Sequence, residues 1–310
     1  MMESIWYNVS VIVSALEAIG VDFKENISGD SLSTLRCGGN IPIVVFPKDA
    51  LQLKNVIELL KSYSFPFYVI GNGSNTLIKD CNFSYALISL KGLKEISFFE
   101  SGVLVDSGVS APFLSQLLAK NNLAGFEKLS GIPGSLGGLV VKNAGCYGME
   151  ISELLEEIIY LDLNTLEYET ALRKEIPFSY RSTGSYFKDK IVLKVKLKLT
   201  QSQENLFESI LEYKKKRLST QPTEPSLGSV FKRVDNVSAG YYIDKAGLKG
   251  VTIGGAMISN KHANFFVNVG GATPNDYLSL VKLAKDVTYN KFKITLQEEI
   301  DILGDITIGY

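Results

Sequence analysis

Four short polar segments of this chain carry side chains whose types could do chemistry. Tyr180–Ser182 contains an arginine, and Gly228–Lys232 places a serine and a lysine directly after a glycine. Ser259–Asn268 contains His262, the only histidine, and Glu298–Glu299 offers two adjacent carboxyl groups. Such groups hold anions or move protons. Each segment also has an ordinary interpretation: a bridge between loops, a turn, a capping histidine, or a solvated pair of glutamates.

Several kinds of chemistry are excluded by what the chain lacks. It shows no nucleophile elbow and no Cys–His signature, and its single histidine leaves few histidine-based acid–base schemes. The three cysteines, Cys37, Cys81 and Cys146, are far apart and lack metal-ligand spacing, so no metal site is expected. Free thiols suit a reducing cytosol, and we expect a cytoplasmic protein. Hydride or electron chemistry would need a cofactor.

A glycine-rich stretch, Gly125–Glu153, is the most distinctive part of the chain. It holds seven glycines and has no charged residue between Lys128 and Lys142. Glycine costs about 1 kcal/mol in a helix interior relative to alanine, so this run needs a reason such as close backbone approach to a ligand. We predict a loop over Ser130–Gly138 that leads into a short helix at Leu136–Asn143. The alternative is a tight loop packed on a neighbouring strand.

A second glycine loop follows a strand–helix–strand pattern. Ile43–Phe46 and Phe67–Ile70 read as strands, Ala50–Ser62 reads as an amphipathic helix, and Gly71–Asn75 follows directly. This arrangement is typical of mononucleotide binding, although neither the dinucleotide fingerprint nor the P-loop motif is present. The loop's backbone N–H groups and its serine and asparagine side chains suit a pyrophosphate. A simple polar turn is the alternative.

The remaining pattern predicts a mixed α and β protein of two or three domains. The 310 residues exceed most single cores, and the net charge of −1 implies no general attraction to nucleic acid. Val9–Val21 contains Ser10, Ser14 and Glu17, which favours an amphipathic helix over a signal peptide or membrane span.

Two further elements have clear sequence signals. Lys190–Leu199 alternates lysines with aliphatic residues, as a half-buried strand with a solvated lysine face does. Gln203–Leu218 reads as a helix ending in the basic run Lys214–Arg217, a solvated helix end or a phosphate contact. A last helix starts at Thr273-Pro274 and runs to about Phe292.

Taken together, these segments resemble the UDP-N-acetylenolpyruvoylglucosamine reductase (MurB) family of flavoenzymes over nearly the whole chain. Eight ordered motifs carry the resemblance: Thr34–Gly39, Gly71–Asn75, Leu129–Gly148, Tyr180–Thr183, Gly228–Lys232, Ala246–Gly250, Ser259–Asn268 and Leu296–Gly304. The order and spacing of the set are far more specific than any one motif.

The resemblance implies an α+β, FAD-binding fold of the vanillyl-alcohol oxidase type. Two FAD-binding domains, 1–90 completed by 293–310 and 91–205, would precede a substrate-binding domain at 206–292. FAD would be held by two groups of residues from the glycine loops. These residues are Gly71, Asn72, Gly73, Ser74, Asn75, Thr76, Gly131, Ile132, Pro133, Gly134, Ser135, Gly138, Asn143, Ala144 and Gly145.

The resemblance also implies a reaction. NADPH would reduce the flavin, and UDP-N-acetylglucosamine enolpyruvate would then accept hydride and a proton to give UDP-N-acetylmuramate in peptidoglycan precursor synthesis. Arg181 and Glu299 would face the substrate carboxylate and stabilise an enediolate-like oxyanion, with Glu299 protonated. Ser229 would deliver the proton. Lys232, Arg233 and His262 would contact substrate or nicotinamide.

Some positions depart from the family pattern. Arg233 stands where some members have asparagine, and Val234–Asn236 stands where a proline usually follows, so the pyrophosphate contact there is open to change. The short Leu199–Gln203 segment leaves no room for the tyrosine-bearing lid of one subclass. We take Glu299 over Glu298 as the acid because it directly precedes the aliphatic residue of the motif.

Three functions follow for comparison. The first is the reductase, acting as a monomer on a nucleotide-sugar, with no nucleic acid or membrane partner. The second is an FAD-dependent oxidase or dehydrogenase of the same fold with another substrate, which loss of Arg181, Ser229 and Glu299 would have favoured. The third is a non-catalytic nucleotide-binding protein, which would be colourless when purified.

Overall fold

The structure, a computed structural model, describes residues 2–81, 83–100 and 102–304. The last six residues of the predicted 293–310 segment lie outside this range. The α-helices are α1 (Met2–Ala18), α2 (Ala50–Ser62), α3 (Ala111–Lys120), α4 (Leu136–Val141), α5 (Leu206–Thr220), α6 (Ala239–Lys245) and α7 (Pro274–Phe292). No helix in the described part of the chain is both long and apolar enough to span a lipid bilayer.

The β-strands fall into three larger sheets and several short pairs. They are β1 (Asp22–Ser28), β2 (Asn40–Phe46), β3 (Phe67–Ile70), β4 (Thr76–Ile78), β5 (Ala86–Ser89), β6 (Ile96–Phe99), β7 (Gly102–Asp106), β8 (Leu123–Ala124), β9 (Gly145–Cys146), β10 (Met149–Glu150), β11 (Leu155–Asp162), β12 (Tyr168–Leu172), β13 (Lys190–Lys198), β14 (Thr200–Gln201), β15 (Ser226–Ser229), β16 (Thr252–Ile253), β17 (Ala256–Ile258), β18 (Phe265–Asn268) and β19 (Asp301–Leu303).

The first sheet contains the predicted strand–helix–strand unit. Its order is β1-β2-β5-β3, and β2 and β3 both run parallel to β5, which lies between them. Helix α2 crosses over between β2 and β3 and is capped by Asp49, whose side chain accepts a hydrogen bond from the Gln52 N–H at 2.7 Å. Its apolar face, including Leu53 and Ile57, is fully buried against this sheet. The carboxyl end of β3 therefore delivers the glycine loop to one edge of the sheet.

The second sheet has the order β12-β11-β13-β7-β6 and is antiparallel. A register shift in the pairing of β13 with β11 divides the predicted alternation of β13 between two cores. Ile191 and Leu193 pack with α1 and α2, whereas Val195 and Leu197 pack with α3 and α4. Lys194 is half-buried and forms ion pairs with Glu95 at 2.8 Å and with Asp106 at 3.3 Å.

The third sheet, β15-β18-β17-β16, packs against α6 and α7. Helix α7 begins as predicted, with Thr273 in a reciprocal capping box with Asp276 and with proline in its first turn. After α7 the chain crosses back through buried Leu296 and Ile300. Strand β19 then pairs in parallel with β4, so this last described strand lies beside the Gly71–Thr76 loop.

Candidate active site

A cavity of about 1200 Å³ runs between the two glycine loops and extends toward β15. Its walls come from β3 and the loop after it, from α4 and the loop before it, and from β15 and the segment before β19. Most of the sequence-predicted site residues line this cavity, although they come from segments far apart in the chain. The exceptions within the described chain are Gly131, Asn143, Lys232 and His262, which do not form its surface.

The Gly71–Thr76 loop is held in place by contacts that only glycine permits. A Cβ on Gly71 would lie 2.1 Å from the Ser135 hydroxyl oxygen, so the two glycine loops touch here. Gly73 has φ +66°, and a Cβ on it would lie 1.9 Å from the Leu32 carbonyl oxygen. Asn72 donates from its side chain to the Pro133 carbonyl at 3.2 Å. The loop is therefore held between Leu32 on one side and the Pro133–Ser135 segment on the other, and its residues line the cavity.

The glycine-rich stretch Gly125–Glu153 packs helix α4 closely against the loop after β7. A Cβ on Gly137 would lie 2.7 Å from the Ser107 Cβ, and the Gly137 N–H donates to the Ser107 carbonyl at 2.9 Å. The predicted helix is present but ends at Val141 rather than Asn143. Ser107, which the sequence did not single out, lines the cavity with a buried hydroxyl that has no hydrogen-bond partner within the described residues.

Asn143 and Gly145 both position the Arg181 side chain, and of the two only Gly145 lines the cavity. Asn143 is fully buried at φ +42°, and its side chain donates to Glu150 at 2.7 Å and to the Ser179 carbonyl at 2.9 Å. The Asn143 and Gly145 carbonyls accept hydrogen bonds from the Arg181 guanidinium at 3.3 Å and 2.6 Å. These bonds fix the orientation of a long side chain that would otherwise be mobile.

Arg181 and Glu299 are in direct contact. The Arg181 Nε lies 2.9 Å from Glu299 Oε1, and Glu150 lies 3.9 Å from the same guanidinium. The side chains of Arg181 and Glu299 are each about one-fifth exposed. Burial raises the pKa of the Glu299 carboxyl above its ordinary value, although the positive charges of Arg181, Lys232 and Lys142 act in the opposite direction. Desolvation is the larger effect, because this carboxyl has little water around it.

The two candidate glutamates face opposite sides. Glu298 forms an ion pair with Lys285 of α7 at 2.7 Å, away from the arginine. The backbone N–H of Glu299 donates to the Val230 carbonyl at 2.8 Å, and its carbonyl accepts from the Asn75 side chain at 3.0 Å. The Glu299 segment therefore lies between the Gly71–Thr76 loop and the end of β15. Ser229, at the end of β15, lines the same cavity.

The three predicted substrate contacts are placed differently from one another. Arg233 lines the cavity, with its guanidinium 5.9 Å from the centre of the Tyr180 ring. Lys232 lies near enough to influence Glu299, and its N–H donates to the Gln297 carbonyl at 2.9 Å. The His262 ring packs on Phe265 at 4.8 Å, its Nδ1 accepts from the Asn264 N–H, and burial lowers its pKa. His262 is therefore a histidine that packs within its own loop.

The structure adds cavity residues that the sequence did not single out as site residues. Arg217, from the end of α5, lines the cavity beside Cys146 and Tyr147, and no carboxylate of the described chain forms an ion pair with it. The sequence offered only its place in a basic run, which did not distinguish it from the three lysines before it. Lys142 and Asp301 also line the cavity and form an ion pair at 2.5 Å. Nothing local in the sequence linked them.

The residues present fit an FAD cofactor. Two glycine loops bring backbone close to one elongated cavity, and Ser107 offers an unpaired hydroxyl there. Backbone N–H groups and small polar side chains of this kind suit a dinucleotide's phosphates and ring edges. The described residues contain no group of three or more His, Cys, Asp or Glu side chains that could hold a metal ion.

Comparison with known proteins agrees with this geometry. Residues 41–163 match a sequence model of an FAD binding domain, and residues 221–303 match that of the UDP-N-acetylenolpyruvoylglucosamine reductase C-terminal domain. The UDP-N-acetylenolpyruvoylglucosamine reductase of Clostridium tetani is 34% identical over 95% of this chain and 96% of its own. That of Clostridioides difficile is 36% identical over 98% and 99%.

A solved structure is similar as well. The crystal structure of UDP-N-acetylenolpyruvylglucosamine reductase from Thermus caldophilus superposes with a TM-score of 0.77 at 30% identity, covering 92% of this chain and 99% of that one. The predicted FAD-binding fold and the FAD cofactor are thereby confirmed. This chain belongs to the UDP-N-acetylenolpyruvoylglucosamine reductase family, and it is an FAD-dependent oxidoreductase.

Proposed function

We propose that this protein reduces UDP-N-acetylglucosamine enolpyruvate to UDP-N-acetylmuramate with NADPH, in peptidoglycan precursor synthesis. The observation that carries the proposal is the contact between Arg181 and Glu299 on the wall of a cavity that Ser229 also lines, between two glycine loops. An arginine, a carboxyl group and a hydroxyl at one end of a flavin cavity are the groups that this reduction needs. An oxidase acting on another substrate would not require that set.

The two glycine loops would hold FAD. The Gly71–Thr76 loop would bind the pyrophosphate through backbone N–H groups and the Ser74 and Asn75 side chains. The stretch from Ile132 to Gly138, with Ala144 and Gly145, would line the rest of the cofactor. Asn143 would act through Arg181, since its carbonyl accepts from the guanidinium. When bound there, FAD would supply the hydride chemistry, with NADPH as the reductant and the substrate's enol ether as the acceptor.

Arg181 and Glu299 would stabilise the charge that appears on the substrate. Hydride addition leaves carbanion character beside the carboxylate, and this charge spreads into an enediolate-like oxyanion. Arg181 offers a forked donor whose direction is already set by two backbone carbonyls. Glu299 would donate a hydrogen bond from its protonated form, which its burial favours. A substrate carboxylate next to it would favour that form further.

Ser229 would protonate the α-carbon. Its hydroxyl would give its proton to the carbanion, forming the new C–H bond, and would recover a proton from solvent. A serine is a weak acid, so this step requires a strongly basic carbon within hydrogen-bond reach. The position of Ser229 at the end of β15, on the cavity wall, supports this role. Lys232 and Arg233 would contact the nucleotide-sugar's anionic groups, and His262 would support the loop beneath them.

We further propose a three-part division of the chain. Residues 1–90 with the returning C-terminal segment and residues 91–205 would bind FAD, and 206–292 would bind the substrate. The pairing of β19 with β4 supports the C-terminal return. Strands β15, β17 and β18 and helices α6 and α7 share one apolar core, into which Leu35, Cys37, Leu77, Leu296 and Ile300 of the first part also pack. We propose that the protein is cytoplasmic and acts as a monomer.

The test is an anaerobic titration of the purified, FAD-loaded protein. NADPH should bleach the visible flavin band, and UDP-N-acetylglucosamine enolpyruvate should restore it. Bleaching without recovery would overturn the proposed substrate and favour another oxidoreductase of the same fold. A parallel titration with NADH measures how strongly the protein prefers NADPH over NADH.

A further inference from the structure

An ion pair beside Glu299 has no part in the mechanism described above. The Lys142 ammonium lies 2.5 Å from Asp301 Oδ1, and both side chains are about one-third exposed on the cavity wall. Lys142 directly follows α4, and Asp301 begins β19. The two residues therefore join the glycine-rich stretch Gly125–Glu153 to strand β19.

Asp301 is held firmly against the cofactor loop. Its N–H donates to the Asn75 carbonyl at 2.8 Å, and it pairs with Thr76 in the parallel ladder of β19 and β4. Ile300, between the two acidic residues, points into the core with 5% exposure, whereas Glu299 and Asp301 both line the cavity. Two residues apart, Glu299 and Asp301 have Cα atoms at most about 7 Å from each other. The Lys142–Asp301 pair is thus a close electrostatic neighbour of Glu299.

The charges around Glu299 come from several elements. Arg181 contacts it directly, with Glu150 behind the guanidinium, and Lys232 approaches from the segment after β15. Lys142 approaches from α4 with Asp301 beside it, and Arg233 lines the same cavity. Glu298 and Lys285 form their own pair on the opposite side of the segment. A free Lys142 ammonium would add an uncompensated cation to this group.

We propose that Lys142 and Asp301 are a charge-compensated positioning pair, in which Asp301 keeps the Lys142 ammonium from holding Glu299 in its ionised form. The inference rests on the proposed function, which requires Glu299 to be protonated when the substrate is reduced. Without Asp301, the cation favours ionised Glu299. Without Lys142, the Asp301 carboxylate disfavours ionised Glu299. The two single substitutions therefore act in opposite directions, which a merely structural pair would not do.

The experiment compares Lys142→Met, Asp301→Asn and the double variant in the FAD-loaded protein. The first readout is the pH profile of flavin reoxidation by UDP-N-acetylglucosamine enolpyruvate, whose rate should fall as Glu299 ionises at high pH. Lys142→Met should move this alkaline limit upward and Asp301→Asn should move it downward, each by about 0.5–1 pH unit after solvent screening. The double variant should return close to the parent protein.

A second readout does not depend on turnover. Difference infrared spectroscopy against pH follows the C=O band of a protonated carboxyl group, which Glu299→Gln assigns by removing it. This titration should shift in the same opposite directions. Lys285→Met is the matched control, because its ammonium pairs with Glu298 on the far side of the segment and should leave the titration unchanged.

Two results would overturn the inference. One is a shift of the infrared titration in the same direction for both single variants, and the other is no shift in either. If the parent protein fails to reduce the substrate, the proposed function fails, while the infrared titration still decides whether the pair controls Glu299.

Discussion

At the scale of single residues, the site depends on how Arg181 and Glu299 balance each other. The guanidinium at 2.9 Å favours the carboxylate, and burial favours the neutral acid. Burial has the larger effect on the pKa of Glu299, which is raised, and the proposed reaction uses the neutral acid as a donor. In the proposed reaction Ser229 is a separate proton source, so changes at Glu299 and at Ser229 should affect the reaction in different ways.

Ser229→Ala should separate the two half-reactions. Flavin reduction by NADPH should remain near the parent rate, whereas reoxidation by substrate should slow by about 100-fold or more because the proton donor is lost. Anaerobic stopped-flow absorbance measures each half-reaction in turn. Equal slowing of both would contradict the proposed role of Ser229.

Glu299→Gln should be milder than Glu299→Ala. Glutamine keeps a neutral hydrogen-bond donor of similar shape, so we expect about tenfold slowing of substrate reduction, against roughly 100- to 1000-fold for alanine. The Gln variant should also lose the fall in rate that ionisation of Glu299 causes at high pH. Glu298→Gln is the matched control, since that side chain faces Lys285. Indistinguishable rates for the two Glu299 variants would show that no protonated carboxyl takes part.

At the scale of elements, helix α4 contains two adjacent glycines that differ in the space available for a side chain. Gly137 faces Ser107, where a Cβ would lie only 2.7 Å from another Cβ. Gly138 has room, since its nearest neighbour would be the Ser135 hydroxyl at 3.4 Å, but it lines the cavity. Gly137 allows close packing inside the protein, and we propose that Gly138 keeps space for the cofactor.

Gly137→Ala and Gly138→Ala should therefore differ in kind. The first should lower the free energy of unfolding of the FAD-free protein by about 1–3 kcal/mol, because it overpacks the contact with Ser107. The second should leave that free energy unchanged or raise it by up to about 1 kcal/mol, since alanine favours a helix, while weakening FAD binding. Urea unfolding and flavin fluorescence titration measure the two effects. A stability loss in Gly138→Ala equal to that in Gly137→Ala would contradict this division.

At the scale of the whole molecule, the cavity is assembled from all three sheets and from the chain's C-terminal return. Bound FAD would therefore touch segments that lie far apart in the chain. A ligand that binds only the folded state stabilises it by about 2.7 kcal/mol at a free concentration of 100 times Kd.

FAD should accordingly raise the temperature of thermal unfolding. For a chain of this size we expect an increase of roughly 4 °C at that concentration, with one cooperative transition. Differential scanning calorimetry with increasing FAD measures it, and riboflavin, which lacks the pyrophosphate, is the control ligand. An equal increase with riboflavin at matched concentration would argue against pyrophosphate binding by the Gly71–Thr76 loop.

The local features of this protein follow from its amino-acid sequence alone. Both glycine loops, helix α2 between its two strands, and the capped start of α7 follow from short-range rules of backbone conformation and periodicity. The resemblance carried by eight motifs also predicted the FAD-binding fold and the family. The α4 helix was foreseen within two residues, because its glycines and apolar positions are a local signal.

The packed fold determines which distant residues meet. It placed β5 between β2 and β3, divided the pattern of β13 between two cores, and brought Arg217 to the cavity. It set Glu299 against Arg181 and Glu298 against Lys285, and it joined Lys142 to Asp301 across 159 positions. Such contacts leave no periodicity in the sequence, because they depend on which surfaces the packed elements bring together.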